Sequence, residues 1–258
     1  MNVVPLLCVF IIVLFIRMLY KTRGIVLHTV NYSDTYAIVH VFTEEFGQVS
    51  YLTSKAKGKK AKVGKSTFHA LAVLDLEVEH LNLRDIHRIK ESTPHFVLMN
   101  ILFDPIKSSI SIFLAEFINK VIKEAQPNPQ MFNFICNSIQ VLNLLEKGAA
   151  NFHLVFMFHL SRFLGFYPDI TTYREGLFLD LQNGVFVSYK PFHPYFLNPD
   201  ESTVFILLTR MNYENMYHFG FSHQERIIII TKVLEYYRLH LANFSELKSL
   251  EVLQNIFV

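Results

Sequence analysis

The chain has 258 residues, enough for two ordinary domains, and 51% of them are hydrophobic, with 25 Phe and 12 Tyr, which excludes a natively disordered protein. The formal charge of +2 is unevenly spread: residues 18–97 carry 11 Lys or Arg against 8 Asp or Glu, and residues 98–258 carry 12 against 14. Two cysteines, Cys8 and Cys136, exclude a thiolate-only zinc centre and a disulfide scaffold and fit a reducing cytoplasm.

Residues 1–17 stand apart. Val3 to Ile16 is apolar except for Pro5, but a helix of this length spans about 21 Å, short of the roughly 30 Å hydrocarbon core. No basic residue precedes the run and no small-residue cleavage site follows it. Met18 offers a second start, so an upstream extension is expected here, with a short membrane anchor as the alternative. In that case Arg17, Lys21 and Arg23 would hold the remainder in the cytoplasm.

Gly24 to Val30 is short and rich in β-branched residues and runs into the turn formers Asn31-Tyr32-Ser33-Asp34, which predicts a strand and a turn. From Tyr36 to Thr43 the side chains alternate, with Tyr36, Ile38, His40 and Phe42 on one face and Ala37, Val39 and Val41 on the other. Glu44 to Gly47 turns the chain into a third strand, Gln48 to Ser54. Lys55 to Lys65 then holds six lysines in eleven residues together with Gly58 and Gly64, a solvated loop. Thr67 to His80 reads as a long fourth strand, Asn82 as a turn and Arg84 to Lys90 as a fifth. Five short strands with no helix-length periodic run among them suit a closed barrel of the OB-fold kind.

From Pro94 the period changes to three and four, and one helix is predicted from Ile101 to Glu124. Pro127 and Pro129 separate it from a second, running to about Lys147 with Gly148 as its C-terminal glycine. Asn151 to Leu164 is apolar nearly all round and belongs in the middle of a bundle. Gln182-Asn183-Gly184 between two apolar runs predicts an inserted β-hairpin. Helices resume at about Asp200 to Arg210, His223 to Leu241 and Leu247 to Ile256. The expected class is therefore α+β, an OB-fold barrel over 18–97 followed by a helical domain with an inserted hairpin over 98–258.

Gly58 to Ser66 imitates a phosphate-binding loop, but five residues separate its glycines where the motif has four, and a strand is predicted after it instead of a helix. Of the 12 histidines, His153 and His159 lie on different helix faces and His193 has no metal-binding neighbour in sequence, so no metal site is expected. No nucleophile elbow, zinc-protease motif or paired catalytic carboxylates occur, and no catalytic residue or cofactor is expected.

The lysines remain. Lys55, Lys57, Lys59, Lys60, Lys62 and Lys65, joined by Lys21, Arg23, Arg84, Arg88 and Lys90 from the predicted strands, are the candidate nucleic-acid-binding residues, because neutralising phosphates releases condensed counterions. Tyr32, Tyr36, Phe42, Tyr51 and Phe68 supply aromatics for stacking or for the core. Lysine reads phosphate and not sugar, so an RNA-binding barrel is an alternative. A membrane-tethered interaction protein is another.

Taken in order, Met18-Leu19-Tyr20-Lys21-Thr22-Arg23-Gly24-Ile25-Val26-Leu27, Ser33-Asp34, Ile38 to Phe42, Thr43-Glu44-Glu45-Phe46-Gly47, Tyr236-Tyr237-Arg238-Leu239-His240 and Leu247 to Leu253 resemble the RecO family of bacterial recombination mediators, in its Bacteroidetes form. The resemblance covers the chain from Met18 onward. It implies a non-catalytic cytoplasmic protein of DNA repair that binds single- and double-stranded DNA, with RecR and the C-terminal tail of single-stranded-DNA-binding protein as partners. It further implies loading of RecA and annealing of strands. An acidic, apolar tail would need a greasy pocket with a basic rim, and Lys107, Lys120, Lys123, Arg162 and Arg238 are the basic candidates on predicted helices. Many members carry a four-cysteine zinc module where this chain has the hairpin around Gln182 to Gly184, which holds no cysteine.

Overall fold

The computed structural model describes residues 19–55, 65–80, 84–122 and 126–256. The expectation for residues 1–17 lies outside them. After Val97 the chain divides into two compact units.

The first unit is a closed barrel of β1 (Leu19–Asn31), β2 (Tyr36–Thr43), β3 (Gly47–Ser54), β4 (Val73–Glu79) and β5 (Ile86–Pro94), in the order β1-β2-β3-β5-β4 and back to β1. Only β3 and β5 are parallel; the other pairs are antiparallel. The long β1 pairs with both β2 and β4, and a register shift between Val26 and His28 bends it from one to the other. Val26, Val39, Val41, Val49, Tyr51, Leu74, Leu76, Val78 and Ile89 fill the interior, each such burial contributing about 1.5–3 kcal/mol. Gly24 crosses this core where a Cβ would lie 2.5 Å from Val41 Cγ1 and 2.7 Å from Leu76 Cδ1, so a side chain there would force those core neighbours to shift.

The fourth strand is shorter than its apolar sequence predicts. Lys65–Phe68 is a 3-10 turn, Leu71 takes a left-handed φ of 61°, and β4 begins only at Val73. The Val26 backbone holds this corner, Leu71 N donating to Val26 O and Val26 N to Ala72 O. Phe68, Leu71 and Ala72 are apolar because the corner packs on the barrel, not because it extends. The fifth strand likewise runs Ile86–Pro94, later than Arg84 to Lys90.

Among the described residues the second unit contains seven α-helices: α1 (Met99–Phe103), α2 (Pro105–Val121), α3 (Pro129–Leu144), α4 (Ala149–Phe163), α5 (Pro199–Arg210), α6 (His223–His240) and α7 (Leu250–Ile256). The single helix expected from Ile101 to Glu124 is broken, since the Asp104 side chain accepts from Ile106 N and Lys107 N and Pro105 occupies the first helical position. Gly148 does not end α3, which stops at Leu144; with φ 82° it precedes α4, whose residues from Asn151 to Phe158 are all buried. α4 packs against α2, α3, α5 and α6, the central place its apolar surface predicts. The hairpin of β6 (Phe178–Asp180) and β7 (Val185–Val187) is joined by a third strand, β8 (Phe196–Leu197), which two residues of sequence could not announce.

Candidate nucleic-acid interface

Strand register writes two rows of side chains across the outer wall of β1, β2, β3 and β5. One row is His28, His40, Ser50 and Ile86; the other is Val30, Ile38, Leu52 and Arg88. Tyr36, opposite Ser54, begins a third row. These positions alternate with the barrel core, and Val30, Tyr36 and Ile86 are 42%, 39% and 41% exposed, with Tyr32 at 65% in the adjoining turn. An open wall that carries apolar, aromatic and imidazole groups, with an arginine at its end, suits flat bases and their phosphates.

The described ends of the lysine segment both meet the barrel beside the β1–β2 turn. Lys55 N donates to Thr35 O at 2.7 Å and its Nζ to Ser33 O at 2.5 Å, fastening the start of the loop to the β1–β2 turn. At its return, Thr29 Oγ1 donates to Phe68 O at 3.2 Å. Lys57, Lys59, Lys60 and Lys62 lie outside the described residues, and Lys65 opens the 3-10 turn. Arg84 and Arg88 are exposed, Arg88 in the second row. Of the aromatic candidates, Tyr32 and Tyr36 face solvent, Phe42 and Tyr51 are fully buried, and Phe68 packs on the core.

The wall made by β1, β4 and β5 is different. Lys21 pairs in register with Glu77, and Glu77 with Glu91; Arg23 pairs with Asp75, and Asp75 with Thr93. Lys21, Arg23, Glu44, Glu45, Asp75, Glu77 and Glu91 line an open hollow of about 510 Å³ there. Arg23 grips Glu44 with two hydrogen bonds of 2.9 and 2.7 Å, which hold the Glu44 carboxyl below its ordinary range. Lys90 pairs with the buried Glu79 at 2.8 Å. The strand candidates thus divide: Arg84 and Arg88 are open to a ligand, Arg23 and Lys90 are engaged by carboxylates, and Lys21 stands among acids.

The basic candidates of the helical unit divide in the same way. Lys107 is buried, its Nζ donating to Asn143 O at 3.1 Å and Leu145 O at 2.5 Å, so it caps the end of α3. Lys120 reaches Glu116 at 3.3 Å and the Glu246 carbonyl. Arg162 lies over the Tyr167 ring, 4.2 Å from its centroid, and is exposed, as is Arg238; Lys123 lies outside the described residues.

Around the β6–β7 turn the residues do not fit a thiolate-bound zinc. Asp180 organises the turn, its Oδ1 accepting from Gln182 N and Asn183 N at 2.9 and 3.1 Å and its Oδ2 from Asn183 Nδ2 at 2.7 Å, with His193 Nε2 at 3.3 Å. Burial would raise this carboxyl; the bonds from Asn183, Gln182 and His193 outweigh it and hold it low. Among the described residues no three His, Cys, Asp or Glu side chains are grouped to hold a metal ion.

Two family models match in succession: Recombination protein O N terminal over residues 18–96 and Recombination protein O C terminal over residues 102–251. The chain belongs to the RecO family. It is 54% identical over 240 residues to a DNA repair protein RecO of Azobacteroides pseudotrichonymphae, covering 93% of this chain and 100% of that one. RecO proteins of Phocaeicola vulgatus and Bacteroides fragilis are 43% and 42% identical, again over 93% of this chain and 100% of theirs. A DNA repair role follows for this RecO family member, carried by a barrel and a helical unit. Among its described residues no helix is long and apolar enough to cross a membrane.

Of the row residues the sequence singled out Arg88 as a phosphate contact and Tyr36 as an aromatic, but not the rows themselves. Their only sequence signal is the second face of β2, where Tyr36, Ile38 and His40 alternate with Ala37, Val39 and Val41 of the core.

Proposed function

We propose that this protein is a non-catalytic recombination mediator whose barrel binds single- and double-stranded DNA on the β1-β2-β3-β5 wall, with the lysine loop supplying most of the charge that meets phosphate. The observation that carries the reading is that the partly exposed rows His28-His40-Ser50-Ile86 and Val30-Ile38-Leu52-Arg88 run beside the β1–β2 turn end of the barrel, where both described ends of the lysine loop are tied. Bases would stack on the rows while phosphates reach Arg84, Arg88 and the six loop lysines. In the cytoplasm, at the nucleoid, it would act with RecR and the tail of single-stranded-DNA-binding protein to load RecA and anneal strands.

The test is anisotropy of labelled single-stranded and duplex DNA over a salt series, for the native protein and for a variant with Lys55, Lys57, Lys59, Lys60, Lys62 and Lys65 changed to Ala. Binding weakens in the variant, and the slope of log affinity against log salt becomes shallower by about 0.7 for each single-strand phosphate that no longer meets a lysine. An unchanged slope removes the loop from the interface. A matched RNA strand bound more tightly than DNA would turn the reading toward RNA. Purified RecR and a tail peptide, titrated separately, test the partners.

A further inference from the structure

His28 and His40 face each other across β1 and β2 on the open wall, their rings nearly parallel at 14° with centroids 6.0 Å apart. His40 Nδ1 lies 2.9 Å from Ser50 Oγ on the next strand. A hydroxyl can donate to a neutral imidazole and accept from a charged one, so this hydrogen bond survives a change of protonation and holds the ring either way. We propose that His28 and His40 form a phosphodiester-binding pair that takes up a proton when a DNA strand binds. The inference rests on the proposed DNA-binding role of this wall.

The physical case is one of geometry and charge. Two imidazoles this close oppose each other's protonation, and burial and His28 both keep the His40 ring below its ordinary value in the free protein. A phosphate placed against the pair supplies a negative charge that favours a proton on the His40 ring, against the burial and the neighbouring imidazole that disfavour it. Arg88 stands in the neighbouring row, and Arg84 and Asp85 precede Ile86, the last residue of the pair's own row. No carboxylate stands in either row. A lysine is charged with or without DNA. A histidine pair can gain charge as phosphate arrives, which makes binding pH-dependent.

The sign follows from linkage. Because the bound state holds more protons, affinity rises as pH falls, by up to about tenfold per pH unit for one proton taken up, between the titration ranges of the bound and free rings. Single-stranded DNA affinity is therefore measured from pH 8 down to pH 5.5 at constant salt, with circular dichroism confirming the fold at each point. Native protein tightens as pH falls, His28→Gln/His40→Gln flattens the curve, and the six-lysine variant binds more weakly but keeps the native pH slope. Parallel curves for the native protein and the histidine variant overturn the pair, whereas absence of DNA binding at every pH overturns the DNA-binding reading itself. Calorimetry in buffers of different ionisation enthalpy reads the proton directly: uptake by the native protein and none by His28→Gln/His40→Gln supports the pair, and equal uptake overturns it.

Discussion

The two outer walls of the barrel share β1 and β5 and carry opposite messages. On the β1-β4-β5 wall the basic side chains stand among carboxylates: Arg23 is held by Glu44, Lys90 by Glu79, and Lys21 lies opposite Glu77. On the β1-β2-β3-β5 wall the described rows contain one charge, Arg88, beside apolar and imidazole groups. A count of lysines and arginines treats the two walls alike. Their surroundings separate them, since a cation already paired has little left to offer a phosphate while an acidic wall repels the strand. The basic excess of the barrel is therefore an asymmetry of surroundings, with the cations of one wall set among carboxylates and Arg88 of the other beside apolar and imidazole groups.

The largest test of that asymmetry places a carboxylate in the open wall. Leu52→Glu puts a negative charge between Ile38 and Arg88, where it removes an apolar platform and competes for the arginine. DNA affinity falls by about thirtyfold, or roughly 2 kcal/mol, within the range for losing one or two stacked bases. Glu77→Gln with Glu91→Gln on the opposite wall leaves affinity unchanged or raises it about twofold. Equal losses from both changes, in anisotropy at matched salt, would erase the distinction between the walls.

A smaller effect is expected where a basic residue is structural. Lys107→Ala removes the amine that serves the Asn143 and Leu145 carbonyls, and the helical unit loses about 1.5 kcal/mol, in the range for hydrogen bonds made by a charged group. The urea midpoint drops while DNA affinity does not. A variant of unchanged stability but weaker partner binding would return Lys107 to the surface.

Lys107 also shows where the sequence stops being legible. Period-two alternation identifies the interior of β2, because Ala37, Val39 and Val41 are apolar and their neighbours are not uniformly so. Alternation carries no register, and it is register that sets His28 against His40 and Leu52 against Arg88. The apolar residues Phe68, Leu71 and Ala72 match a packed corner as well as a strand, since hydrophobicity reports burial and not φ; Leu71 at 61° could not be seen. The Asp104-Pro105 break, by contrast, was legible as a cap followed by a first-turn proline, and the helical period running across it masked the signal. Charge type says nothing of occupancy, so Arg23, Lys90 and Lys107 looked as available as Arg88.

The mildest change probes the carboxylate-lined wall directly. Arg23→Ala frees Glu44, and because the pair is partly exposed its loss costs the barrel only about 0.5–1 kcal/mol at neutral pH. The Glu44 carboxyl is held below its ordinary range, first by the hydrogen bonds from Arg23, so the pair's stabilisation is full above the carboxyl's unfolded value and disappears as pH falls through the lowered folded one. The native barrel and Arg23→Ala should therefore differ in thermal midpoint near pH 7 and converge on acidification, while their DNA affinities agree throughout. A loss of DNA affinity as large as that from Leu52→Glu would mean that Arg23 leaves Glu44 for a phosphate, and that the carboxylate-lined wall takes part in binding the strand.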